Sequence, residues 1–151
     1  MPRTYTNLLT HIIFSTKQRQ PFINTDIKPR FHSYIGGIVR ELHGVAYNVG
    51  GVADHVHLLV SLPPTLSVSD AVRTIKTNSS KWIKQQGGAH SNFEWQNGYG
   101  AFAVSQSNMN GVAKYIAEQE EHHRTRTFQE EYIAFLERHG IEYDKRYVFD
   151  D

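Results

Sequence analysis

Cysteine is absent from this chain of 151 residues, which excludes a disulfide framework and a thiolate metal site. That absence fits the cytoplasm, the expected location. Long apolar runs are missing too. No segment approaches the roughly 20 residues a membrane helix needs, so no membrane is expected as a partner. A dominant charge is also lacking. Lys and Arg total 16 against 15 Asp and Glu, a formal net charge of +1, so only a local patch can decide whether nucleic acid binds. There is no internal repeat, low-complexity segment or composition shift, so one domain over residues 1–151 is expected. Its core would span about 5–126, with a C-terminal helix and tail over 127–151. What is abundant is histidine, with nine residues that titrate near neutrality.

Hydrophobic spacing predicts the order β-α-β-β-α-β-α, then a further helix and a tail. Residues 8–14 are apolar on both faces, as in a central strand. A helix is expected from Thr25 or Asp26, either able to cap it, to about Leu42, with Gly36-Gly37 weakening its middle. Strands follow over 46–52, with Gly50-Gly51 as a turn or bulge, and over 56–62, closed by Pro63-Pro64. Ser67 or Ser69 can cap the next helix, and residues 85–97 form a polar loop. A short strand covers 101–104. A helix capped by Asn108 or Asn110 covers about 111–124, and a last helix covers 128–138. This is the order of an α+β, ferredoxin-like (split βαβ) sandwich, an antiparallel sheet with helices. The fold alone settles no function.

The chemistry-bearing residues fall on two of these elements. In Asp54-His55-Val56-His57-Leu58-Leu59-Val60 a strand puts His55, His57 and Leu59 on one face and Val56, Leu58 and Val60 on the other. The second face belongs in a core. The first offers two imidazoles at a spacing that suits one metal ion. Single histidines on half-buried strands are more often structural, but a pair at this spacing favours metal. Tyr115 and Gln119 are i,i+4 on one helix and share its polar face, while Val112, Ala113 and Ile116 supply the apolar stripe. The four residues together suggest a divalent metal, a phosphate and a tyrosine nucleophile. His11 reads as a satisfied core histidine, His122 and His123 as solvent or DNA contacts, and Trp95 and Tyr99 as packing anchors.

With these motifs the chain resembles the single-tyrosine HUH transposases and the related REP-associated tyrosine transposases. The resemblance rests on His55-Val56-His57, on Tyr115 and Gln119 in VAKYIAEQEEHH, on Trp95 to Ser105 and on His11 to Ile23. It spans roughly residues 7–124. It implies a helix that carries a catalytic tyrosine, Tyr115, and a metal site of His55 and His57 completed by Gln119. It also implies single-stranded or hairpin DNA as substrate, and a homodimer whose subunits share active sites.

Imidazole and amide oxygen ligands suit Mg²⁺ or Mn²⁺ in an open site. Attack by Tyr115 on phosphorus would displace a 3′ hydroxyl and leave a 5′-phosphotyrosine, which another 3′ hydroxyl can resolve without ATP. No general base for the phenol is visible in the sequence. Replacing either metal histidine is expected to spare the fold, on the view that a surface-facing ligand is not core. DNA-binding candidates are Lys17 and Arg19 in the loop after the first strand, Arg73 and Lys76 on the second helix, and Arg124 after the tyrosine helix. Each reads equally well as an ordinary solvated charge. Three other functions stay open: a noncatalytic single-stranded nucleic-acid-binding module, a phosphohydrolase using water activated by metal, and a domesticated HUH nuclease. Asp54 is the only carboxylate beside the histidines in sequence, and a phosphohydrolase usually needs more.

Overall fold

The computed structural model describes residues 3–149. Four strands, β1 (Leu9–Ser15), β2 (Val45–Val52), β3 (His55–Ser61) and β4 (Gly100–Ala103), form one antiparallel sheet in the order β2-β3-β1-β4. α1 (Lys28–Glu41) and α2 (Val68–Lys84) are the crossovers. The chain is therefore the α+β split βαβ sandwich that its hydrophobic spacing predicts.

One sheet face carries Ile12, Phe14, Val56, Leu58 and Val60, which pack with Phe31, Ile35 and Val39 of α1 and Val72, Ile75 and Ile83 of α2. Trp95 acts as the expected anchor: its ring stacks on Phe31 at 5.8 Å and its indole N–H donates to Ser79 Oγ at 3.0 Å. Ser67 caps α2 by accepting from the Asp70 N–H at 3.1 Å. At α1 neither Thr25 nor Asp26 caps. The helix starts later, at Lys28, and Asn24 Oδ1 accepts the Ile27 N–H at 3.1 Å. α1 runs unbroken through Gly36-Gly37, because packing of its apolar face outweighs the low helix propensity of two glycines. Gly50 and Gly51 lie inside β2 rather than in a turn, and the register shift falls earlier, between Ala46 and Asn48.

The other face is covered. α3 (Met109–Ala117), α4 (Gln119–His122) and α5 (Phe128–Arg138) follow β4. The single helix expected over 111–124 is broken at Glu118, where φ is −102° and ψ is 25°. Neither Asn108 nor Asn110 caps α3 through its side chain; Asn108 stands at the cap position with no such bond. α5 begins with a reciprocal cap in which Thr127 Oγ1 accepts from the Glu130 N–H and Glu130 Oε1 accepts from the Thr127 N–H, both at 3.1 Å. Its Phe128, Tyr132, Phe135 and Leu136 form a second core with Ile13 and Phe102 of the sheet. Among the described residues no helix is long and apolar enough to cross a membrane.

Candidate active site

β3 places both histidines on the face beneath α3 and α5, as the period of two predicts. They are not surface-facing, however. His55 and His57 are both 0% exposed, because α5 closes over them. The expectation that either could be replaced without touching the core is therefore corrected. Gly50, opposite His57 on β2, seats α3: a Cβ there would stand 2.5 Å from the Ile116 carbonyl oxygen. That close approach brings Tyr115 and Gln119 over the histidines.

The polar atoms converge. His55 Nε2 is 2.9 Å from Gln119 Oε1 and 3.5 Å from Glu131 Oε1. His57 Nε2 is 2.9 Å from the same Glu131 oxygen, and His123 Nε2 is 3.1 Å from it. The far ring nitrogens are anchored as well: His55 Nδ1 lies 2.6 Å from Asp54 Oδ1, and His57 Nδ1 lies 2.8 Å from His11 Nε2. Metal-ligating histidines characteristically have such partners. The phenol of Tyr115 donates to Glu131 Oε2, and the Gln119 amide N–H donates to that oxygen at 3.2 Å. The Tyr115 ring stacks on His122 at 4.4 Å.

These bonds fix the orientation of the Gln119 amide. Its nitrogen faces two acceptors, the Glu131 carboxylate and, at 3.4 Å, the Tyr115 carbonyl, so its oxygen must face His55. Asp54 accepts from the Nδ1–H of His55, which turns Nε2 toward that oxygen. Nε2 and the amide oxygen lie 2.9 Å apart, a contact that either a proton on Nε2 or a bound cation bridges. A divalent ion would take the place of the proton that His57 Nε2 donates to Glu131 as well. Adjacent ligands of an octahedral ion with bonds of about 2.1 Å stand about 3 Å apart, which matches the separations found here. The donor atoms of His55, His57, His123 and Glu131 lie within 4.8 Å of one another.

Electrostatics follow from burial and this carboxylate. Burial lowers His57 to about 4 despite the opposing pull of Glu131, and burial together with His57 lowers His11 to about 3. Burial alone would raise Glu131, but hydrogen bonds from His123 and His57 outweigh it and hold the carboxyl well below its usual range. Burial, then the bond to Glu131, pushes the Tyr115 phenol above its ordinary value.

Sequence reasoning misses two members of this cluster. His123, read as a solvent or DNA contact, faces Glu131 instead. Glu131 enters from the last helix. Its one sequence signal is position: three residues after Phe128 and four before Phe135, it lies on the apolar stripe of α5. His11 is buried, as expected, and is also the partner of His57.

The basic residues are less concentrated. Lys17, paired with Glu94 at 3.3 Å, and Lys76, which donates to the Gln96 carbonyl at 2.8 Å, line one polar cavity of about 400 Å³. Arg19 lies over the Phe149 ring at 5.6 Å. Arg73 pairs with Asp70, and Arg124 with Glu121 at 3.1 Å.

Comparison with known proteins gives a consistent picture. The model of the family described as "Transposase IS200 like" matches residues 4–119. A candidate transposase from Deinococcus radiodurans R1 is similar in structure, with a TM-score of 0.60 and 21% identity over 79% of this chain and 95% of that one. A REP-associated tyrosine transposase bound to a REP hairpin is similar at a TM-score of 0.56 and 18% identity, over 77% of this chain and 68% of that one. At these identities the two structures show the fold alone. No curated protein matches.

Proposed function

The chain belongs to the IS200-like transposase family, and from that premise we propose that it cleaves and rejoins single-stranded DNA through a 5′-phosphotyrosine on Tyr115, beside a divalent ion. His55, His57, Gln119 and Glu131 would hold the ion, with His123 adjoining. When bound, Mg²⁺ or Mn²⁺ supplies positive charge to a nonbridging oxygen of the scissile phosphate. The observation that carries this reading is the convergence of His55 Nε2, His57 Nε2, Gln119 Oε1 and Glu131 Oε1 on one point, with the Tyr115 phenol on the other oxygen of the same carboxylate.

The chain's own residues do the rest. Asp54 and His11 keep the two imidazoles turned toward the cluster. Gln119 ties the backbone of Tyr115 to the same carboxylate that the phenol meets. A cavity of about 280 Å³ lined by His11, Gly111, Tyr115, Phe135 and Arg138 offers the phosphate a route to the phenol, with a guanidinium at its rim. Lys17, Arg19, Arg73, Lys76 and Arg124 stay proposed phosphate contacts away from the chemistry, Lys17 and Lys76 having the best support. Hairpin DNA is the substrate form favoured, since a structural relative is described as bound to a hairpin. A homodimer is part of the proposal, although Tyr115 and the histidines of a single chain already meet.

The test is incubation with labelled hairpin DNA and Mn²⁺, followed by a denaturing gel. The expected result is a strand break and an adduct that survives boiling in detergent and maps to Tyr115. Tyr115→Phe should lose both while it still takes up Mn²⁺. Cleavage by that variant without an adduct would assign the reaction to water instead.

A further inference from the structure

We infer that Arg138 is a catalytic residue whose guanidinium holds the scissile phosphate while Tyr115 attacks it, an inference that rests on the function proposed above. Arg138 lies beyond residues 4–119, so the family match assigns it no role.

α5 carries it to the nucleophile. Glu131, Phe135 and Arg138 stand at i, i+4 and i+7, on one face of the helix. Glu131 accepts from the Tyr115 phenol, and the Phe135 ring meets the Tyr115 ring edge-on at 5.7 Å. One turn on, the Arg138 guanidinium lies over the same Phe135 ring, 5.3 Å from its centroid. Phe135 is thus the shared support of the nucleophile and of a positive charge.

That charge is unpaired. Arg73, Arg124 and Arg146 are tied to Asp70, Glu121 and Asp144. Arg138 pairs with no carboxylate among the described residues, and the neighbouring Glu137 accepts instead from the Tyr143 phenol at 2.9 Å. Arg138 and Tyr115 line one cavity of about 280 Å³, together with Asn108 and Val112, and no acidic residue lines it. Asn108 stands at the cap position of α3 without capping through its side chain, which leaves its amide to a ligand.

A phosphodiester suits this set. It carries one negative charge shared by two nonbridging oxygens, and the fork of a guanidinium matches two such oxygens with parallel hydrogen bonds. As the phenolic oxygen adds to phosphorus, negative charge shifts onto those oxygens. A cation already in place beside them stabilises that charge without having to reorganise. The guanidinium gives up no proton and forms no covalent bond; it acts through charge and hydrogen bonds alone.

The test compares the full chain with Arg138→Ala and Arg138→Met, using labelled hairpin DNA and saturating Mn²⁺. Arg138→Met keeps an apolar stem over Phe135 and removes only the charge. Both variants should form the Tyr115 adduct about 10²–10³-fold more slowly. Hairpin affinity, read by fluorescence anisotropy without metal, should fall by less than about tenfold, since one phosphate contact is lost. Free guanidinium, well below denaturing concentration, should return about tenfold or more of the rate to Arg138→Ala and none to Arg138→Met, whose side chain fills the space. Unchanged adduct formation by both variants overturns the assignment and leaves Arg138 a surface charge. A slow Arg138→Ala that guanidinium does not rescue overturns it in favour of packing on Phe135, and a loss of affinity equal to the loss of rate makes Arg138 a general DNA contact. Absence of any adduct in the unaltered chain overturns the proposed function, and this assignment with it.

Discussion

At the scale of single residues, burial changes what a substitution at the site will do. His57 is fully buried and donates to a carboxylate that is itself 1% exposed. His57→Ala strips that carboxylate of one partner, so it should cost about 2–4 kcal/mol of folding stability. Urea unfolding without metal measures this, and a variant as stable as the parent would contradict the buried pair. The histidine pair is legible in the sequence because strand period turns i,i+2 into a shared face whatever packs above it. Tyr115 and Gln119 are legible for the analogous reason on a helix, and they meet although the helix breaks at Glu118. Glu131 is not legible as a site residue. An acidic residue in the first turn of a helix is what the helix dipole favours anyway, so it draws no notice. Only its place between Phe128 and Phe135 marks it as facing inward.

At the scale of elements, the site depends on how closely α3 lies on the sheet. Gly50 is where that approach is made, with the Ile116 carbonyl too near for any side chain. Gly50→Ala should lift α3, cost about 1–3 kcal/mol, and lower cleavage by drawing Tyr115 and Gln119 away from the histidines. Thermal unfolding and the gel assay read the two effects separately. Full activity with an unshifted melting temperature would mean that α3 is not seated there. The sequence marks this glycine but suggests a turn, because a close helix approach and a turn both select glycine and only the partner element distinguishes them. The crossover helices and all four strands are legible through their apolar periodicity. That α5 closes the second face is not, since an amphipathic helix carries no address for the surface it covers.

For the molecule as a whole, buried neutral histidines set the acid limit. His11, His32 and His57 are lowered to between about 3 and about 4 in the fold, chiefly by burial, from an ordinary value of 6.5. The unfolded chain then binds more protons in that interval. These three groups therefore contribute stability that is full above about pH 6.5 and lost as pH falls toward about 3 to 4. Glu131, held low, acts in the same direction below its ordinary 4.5. His123, raised by Glu131 against the effect of burial, acts the other way: its contribution is present in acid and lost as pH rises. With the three histidines and Glu131 against His123 alone, the metal-free melting temperature should fall steadily from pH 7 to pH 4. A flat profile across that range would show that these rings titrate as in the unfolded chain.

The end of the family match at Gln119 divides the labour of the site along the chain. The residues proposed to hold the ion and form the new bond, from His55 to Gln119, lie within the matched segment, whereas Glu131, which meets the phenol and the rings of His57 and His123, is carried by α5 after it. One cluster is thus assembled from two stretches of sequence, and only the first of them carries the family's signature.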